Sequence, residues 1–110
     1  MATNYSVLGQ VAPSASTDTT LYTAPASTQA VVSTIFACNR GDDISTFRIA
    51  VRPDGVAIAN QHYLFYDVYL EGKATITVTT GITLGDTDVI TVWANSASVS
   101  FSAFGSEITA

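Results

Sequence analysis

The sequence predicts an all-β protein: an antiparallel β-sandwich of jelly-roll or immunoglobulin-like type, with about eight short strands. Three observations lead there. Thr, Val and Ile abound, and no window places apolar residues at helical spacing. Turn signals recur at roughly ten-residue intervals. The chain has 110 residues, 47% hydrophobic and 12% charged. That suits one domain, residues 1–110, around one modest core, and it excludes a disordered chain.

The elements follow in order. "NYSVLGQVA" is the first strand. "DTTLYTAPAST" carries the second, stopped by Pro25 after Leu21 and Tyr22. "QAVVSTIFACN" is apolar on both faces, as a central strand is. "NRGDD" is a turn, with Gly41 supplying permissive dihedrals and Asp42 and Asp43 able to bond nearby backbone. "STFRIAVRP" alternates: Phe47, Ile49 and Val51 face in, while Arg48, Ala50 and Arg52 face out. "PDG" at residues 53–55 is a turn, and "VAIANQ" is a loop or a short helical turn. "KATITVTTG" turns Ile76 and Val78 inward and Thr75, Thr77 and Thr79 outward. "GITLGDTD" connects to "DVITVWANS", and "SVSFSAFGSE" closes the set with Val99, Phe101 and Ala103 inward.

One strand breaks the pattern. In "HYLFYDVYLEG", a period of two puts Leu64, Tyr66, Val68 and Leu70 on the core face. The other face then shows Tyr63, Phe65, Tyr69, Asp67 and Glu71 where small polar groups belong. Large amphipathic rings are typical of interface cores. Asp67 and Glu71 are spaced by four, as are Arg48 and Arg52, which allows two ion pairs within or between subunits. The expected homo-oligomer interface is therefore Tyr63, Phe65, Asp67, Tyr69, Glu71, Arg48 and Arg52. The competing reading is a second core layer inside the same fold.

Several function classes lack their residues. With net charge −5 and only Arg40, Arg48, Arg52 and Lys73 basic, nucleic-acid binding is disfavoured. No apolar run approaches a membrane span, so no membrane insertion is expected. "MATNYSVLGQ" lacks the marks of a signal peptide, so folding in a cytoplasm is expected. The single histidine, His62, gives no triad worth the name and is expected at a strand edge or interface. Asp67 and Glu71 lie about 13 Å apart along a strand, too far for a glycosidase pair. "DTD" at residues 86–88 lacks the glycine and distal glutamate of a calcium loop, and turn capping is the simpler role. No zinc spacing, phosphate loop or dinucleotide fingerprint occurs, so no cofactor and no metal are expected, and no enzyme. Cys38, alone and in an apolar strand, reads as a small buried core residue.

The stretches "LYTAPASTQAVVSTIFACNRG", "FRIAVRPDG", "HYLFYD", "GITLGDTDVITVWA" and "VSFSAFGSEI" resemble a group of small proteins encoded among the structural genes of tailed bacteriophages. That group shows an "LYT-x-P" element, an apolar strand ending in "CN-x-G", a "YL-x-YD" segment and a closing "FGSEI" or similar. Here these are residues 21–25, 38–41, 63–67 and 104–108. The resemblance spans residues 5–108 and rests on structural patterns, not catalytic ones. It implies a virion protein on the particle exterior, associated with tail, neck or fibre. The alternatives are a capsid decoration (cement) protein and a receptor- or glycan-binding fibre head. The implied partners are further copies of itself, as a trimer, and other phage virion proteins. A host surface glycan is the partner under the fibre-head alternative, with exposed aromatics such as Tyr63, Tyr69 or Trp93 stacking on its sugar rings.

Overall fold

The structure, a computed structural model, describes residues 2–109. It holds nine strands among the described residues. The first sheet contains β1 (Ala2–Val11), β9 (Val99–Thr109), β3 (Thr28–Asn39) and β6 (Thr75–Val78) in that order, and β7 (Ile82–Leu84) also pairs with β3. The second sheet runs β2 (Thr19–Thr23), β8 (Val89–Ala94), β4 (Ser45–Arg52) and β5 (Tyr63–Leu70). Every pairing is antiparallel. The first and last strands are neighbours, and most consecutive strands lie in opposite sheets. This is the order of a jelly roll, and it differs from the immunoglobulin arrangement.

Alternation builds the core. Ile35 and Ala37 on β3, Phe47 and Ile49 on β4, Ile90 and Val92 on β8, and Val99, Phe101 and Ala103 on β9 are fully buried between the sheets. Phe47 of the second sheet meets Phe101 of the first edge to face, with centroids 6.0 Å apart. Such aromatic contacts add to the area buried. The inward sets expected for β4 and β9 are those observed.

The polar core residues are satisfied. Asn39, 1% exposed, ends β3. Its Nδ2 donates to the carbonyls of Asp43 (2.8 Å) and Leu70 (3.1 Å). Its Oδ1 accepts from the Gly41 N–H (3.0 Å) and the Ser98 hydroxyl (3.1 Å). One side chain thus ties the end of β3 to the end of β5, to the following turn and to the β8–β9 loop. At the other end of β3, the buried Tyr22 of β2 donates its hydroxyl to Glu107 of β9, linking the two sheets.

Cys38 departs from expectation. It lies between the inward Ala37 and Asn39, so it faces out of the first sheet and is half-buried. The strand is apolar on both faces, and composition alone could not show which face each residue takes. Among the described residues, no helix is long and apolar enough to cross a membrane.

Candidate functional site

The outer face of the second sheet carries the densest group of aromatic side chains. β8 sets Trp93 directly opposite Arg48 of β4. β4 sets Arg48 opposite a bulge in β5: Phe47 pairs with Val68 and Ile49 with Phe65, so Tyr66 and Asp67 together face the one residue Arg48. Asp67 takes the left-handed conformation, φ 51°, that such an insertion demands. Aspartate tolerates it better than most residues do.

The bulge makes the site. The Arg48 guanidinium stacks on Trp93, 3.8 Å from its ring centroid, and on Tyr66 at 4.2 Å. Its Nε donates to Asp67 Oδ1 at 2.6 Å and its Nη2 to Oδ2 at 3.3 Å. The Asp67 hydrogen bonds hold the Arg48 proton more firmly than usual. Tyr63 meets Tyr66 edge to face at 4.8 Å. Trp93, Arg48, Tyr66 and Tyr63 thus form a ladder across three strands, with the cation's charge cancelled by Asp67. Tyr69, opposite Thr46, stands 72% exposed beside it.

The structure therefore redistributes the residues expected at an interface. Tyr63, Asp67 and Tyr69 lie outward as the alternation implies. Phe65 does not: it packs into the core against Phe47, centroids 6.3 Å apart. Tyr66 and Leu64, expected inside, are exposed at 57% and 48%. The physical reason is a pair of register shifts, one at Tyr66 and Asp67 and one at Leu64, which flip the phase of β5. Arg48 meets Asp67, but Arg52 does not meet Glu71. Arg52 donates to Thr91 Oγ1 (3.0 Å) and to the carbonyls of Gly55 (3.2 Å) and Val56 (3.0 Å). It fastens the segment between β4 and β5 over the second sheet. Glu71 is exposed in the turn after β5.

Trp93 and His62 take different places, one on this surface and one beneath it. Trp93, which the fibre-head alternative offers with Tyr63 and Tyr69 for stacking on sugars, ends the ladder and alternates with buried Val92 and Ala94. His62 is buried in the 3₁₀ turn Asn60–His62, where Nδ1 accepts the Ala59 N–H at 3.0 Å. It is neither a base aimed at a nucleophile nor an exposed contact.

The acidic turns are spent on structure. Asp88 accepts the backbone N–H of Asp54 and of Gly85, each at 2.9 Å. Thr87 donates to Asp54 Oδ1 at 2.7 Å. These bonds dock the "PDG" turn on the "DTD" turn. Among the described residues, no cluster of three His, Cys, Asp or Glu side chains could hold a metal ion. Comparison of the chain with models of known families, and with curated protein sequences, finds no match.

Proposed function

We propose that this protein is a non-enzymatic structural subunit of a bacteriophage particle. It stands on the exterior, at the tail, neck or fibre, and assembles in several copies. The observation that carries this reading is the aromatic ladder on the outer face of the second sheet. Rings held rigid by stacking and bulge geometry lose little entropy on contact, and aromatic residues and arginine are enriched in interface cores. An arginine already paired with Asp67 brings no uncompensated charge into such a contact.

The phage-like motifs agree with a framework role. The "CN-x-G" element supplies the Asn39 hub. "LYT" and "FGSEI" supply the two ends of the Tyr22–Glu107 link. "YL-x-YD" builds the bulge that assembles the ladder. Each motif holds the fold or shapes the surface, and none aligns a nucleophile with a base.

The test is the particle itself. Mass spectrometry of purified virions should find the polypeptide, and cryo-electron microscopy should place it at a fixed symmetric position with the Tyr66–Tyr69 surface covered. Its absence from purified particles ends this reading. Density on the capsid lattice would move it to the decoration alternative.

The same ladder favours one second reading, a glycan-binding fibre head, because exposed rings stack on sugars. The jelly-roll frame hosts both viral shell proteins and lectins, so it does not choose between them. A glycan array probed with the purified chain, with Trp93 fluorescence as the binding signal, separates the two. A silent array leaves the structural role.

A further inference from the structure

We infer that two copies of this chain join edge to edge through β1, by antiparallel strand pairing about a two-fold axis. This rests on the reading of the protein as an assembling subunit, and it names the contact.

A sheet edge is a row of unpaired N–H and C=O groups, and proteins blunt such edges with short strands, bulges, charges or proline. Three of the four edges here are blunted. β2 has five residues, a register break at Leu21 and Asp18 just before it. β5 is broken by two register shifts and carries Asp67. The β6 and β7 edge consists of strands of four and three residues, separated around Gly81.

β1 is different. It has ten residues with no charge and no proline. Among the described residues, its backbone bonds only to β9. From its bulge at Leu8 onward it is held by the other sheet: a Cβ on Gly9 would lie 2.0 Å from the Leu21 carbonyl oxygen. Residues 2–7, before that clamp, are exposed on both faces. Tyr5 is 84% exposed and Val7 52%. Beside them a depression of about 520 Å³ is lined by Tyr5, Val7, Val31 and Phe104, among others.

Charge distribution favours a second copy as the occupant. Among the described residues, the five strands of the first sheet hold one charged side chain, Glu107, and it accepts the Tyr22 hydroxyl across the sandwich. Two copies, each of net charge −5, can approach here without opposing like charges. Symmetry favours the same occupant. A three-fold ring would require β1 to meet one of the blunted edges, whereas a two-fold axis lets the open edge meet itself. An axis through Tyr5 keeps the pairing within the free segment, with Tyr5 opposite Tyr5 of the second copy and Thr3 opposite its Val7. Aromatic and β-branched side chains are favourable cross-strand neighbours. The dimer takes the place of the trimer expected from the sequence resemblance.

Five residues, 3–7, give a contact about 17 Å long. A single strand pair of that length buries less than the roughly 800 Å² per partner of a stable interface, so we expect dissociation on the order of 100 µM. Crowded neighbours on a particle would supply that concentration.

The experiment uses the full chain at 5 and 500 µM. Sedimentation should show monomer at the lower concentration and dimer at the higher. Amide hydrogen exchange should show protection rising with concentration at alternate residues among 2–7 and not at β5. Val7→Lys should abolish both effects while leaving the thermal midpoint unchanged. Monomer at 500 µM, a trimer, protection at β5 instead, or a dimer that survives in folded Val7→Lys overturns the inference. If that variant fails to fold, exchange in the wild type decides alone. A chain found in virions but monomeric at 500 µM sinks only this inference. A β1 dimer absent from virions sinks only the virion reading.

Discussion

Asn39 shows how one residue can carry a motif. A buried amide with four satisfied hydrogen bonds is costly to replace, because each orphaned partner loses about 1–3 kcal/mol. Its partners come from three separated stretches: Gly41 and Asp43, Leu70, and Ser98. We expect Asn39→Leu to lower stability by about 2–4 kcal/mol, read as a shift in urea midpoint at unchanged slope. The near-isosteric Asn39→Asp should be no milder. A carboxylate can accept from Gly41 and Ser98, but it cannot donate to the carbonyls of Asp43 and Leu70, and its charge would be buried. An Asp variant as stable as wild type would show that those two donations contribute nothing.

At the scale of the element, β5 explains what was legible and what was not. The alternation of β4 and β9 is unbroken over their core residues, and a period of two read both faces correctly. The jelly-roll order itself could not be read, because strand pairing is a long-range property that no window contains. In β5 the same rule placed Phe65 outside and Tyr66 inside. A bulge inserts one residue and inverts everything beyond it, and the sequence marks it only by an aspartate able to adopt positive φ. Arg52 was assigned to Glu71 by matched spacing, yet the nearer carbonyls of Gly55 and Val56 claimed it. Spacing describes one strand and says nothing of the loop folded over it.

The bulge also gives an element-scale prediction. Asp67→Val should cost about 2–4 kcal/mol, since a β-branched residue at φ 51° is strained and the Arg48 bond is lost. Asp67→Gly should cost less than about 1 kcal/mol, as relief of backbone strain offsets the lost surface pair. The reverse order in thermal denaturation would show that the pair, not the backbone, sets the bulge. For the surface, Tyr66→Ser with Tyr69→Ser should leave a folded protein. Adding Phe65→Ser should destabilise it by about 3 kcal/mol or more, because Phe65 belongs to the core. Circular dichroism at increasing temperature distinguishes the two.

For the molecule as a whole, two polar fastenings bracket the sandwich along β3. The Asn39 hub closes one end. The Tyr22–Glu107 bond joins the sheets at the other, beside Ala30, about 30 Å away along the strand. The Tyr22 phenol is held well above its usual range, first by burial and then by its hydrogen bond to Glu107 and that carboxylate's charge. A raised folded-state value fixes the sign of the pH dependence. Below about pH 10 the phenol is protonated in both folded and unfolded chains, and the full contribution is present. As pH rises past that value, the unfolded chain releases its proton while the folded chain keeps it, so stability falls. Tyr22→Phe removes the titrating group. At pH 8 it should be less stable than wild type by about 1.5–3 kcal/mol, the worth of a hydrogen bond to a charged acceptor. Between pH 10 and 11 the gap should narrow, because only the wild type gains from ionising this residue on unfolding. Urea midpoints of both proteins at pH 8, 10 and 11 test it. A gap that stays constant across that range would mean that Tyr22 ionises alike in both states and that its bond to Glu107 does not hold the sheets together.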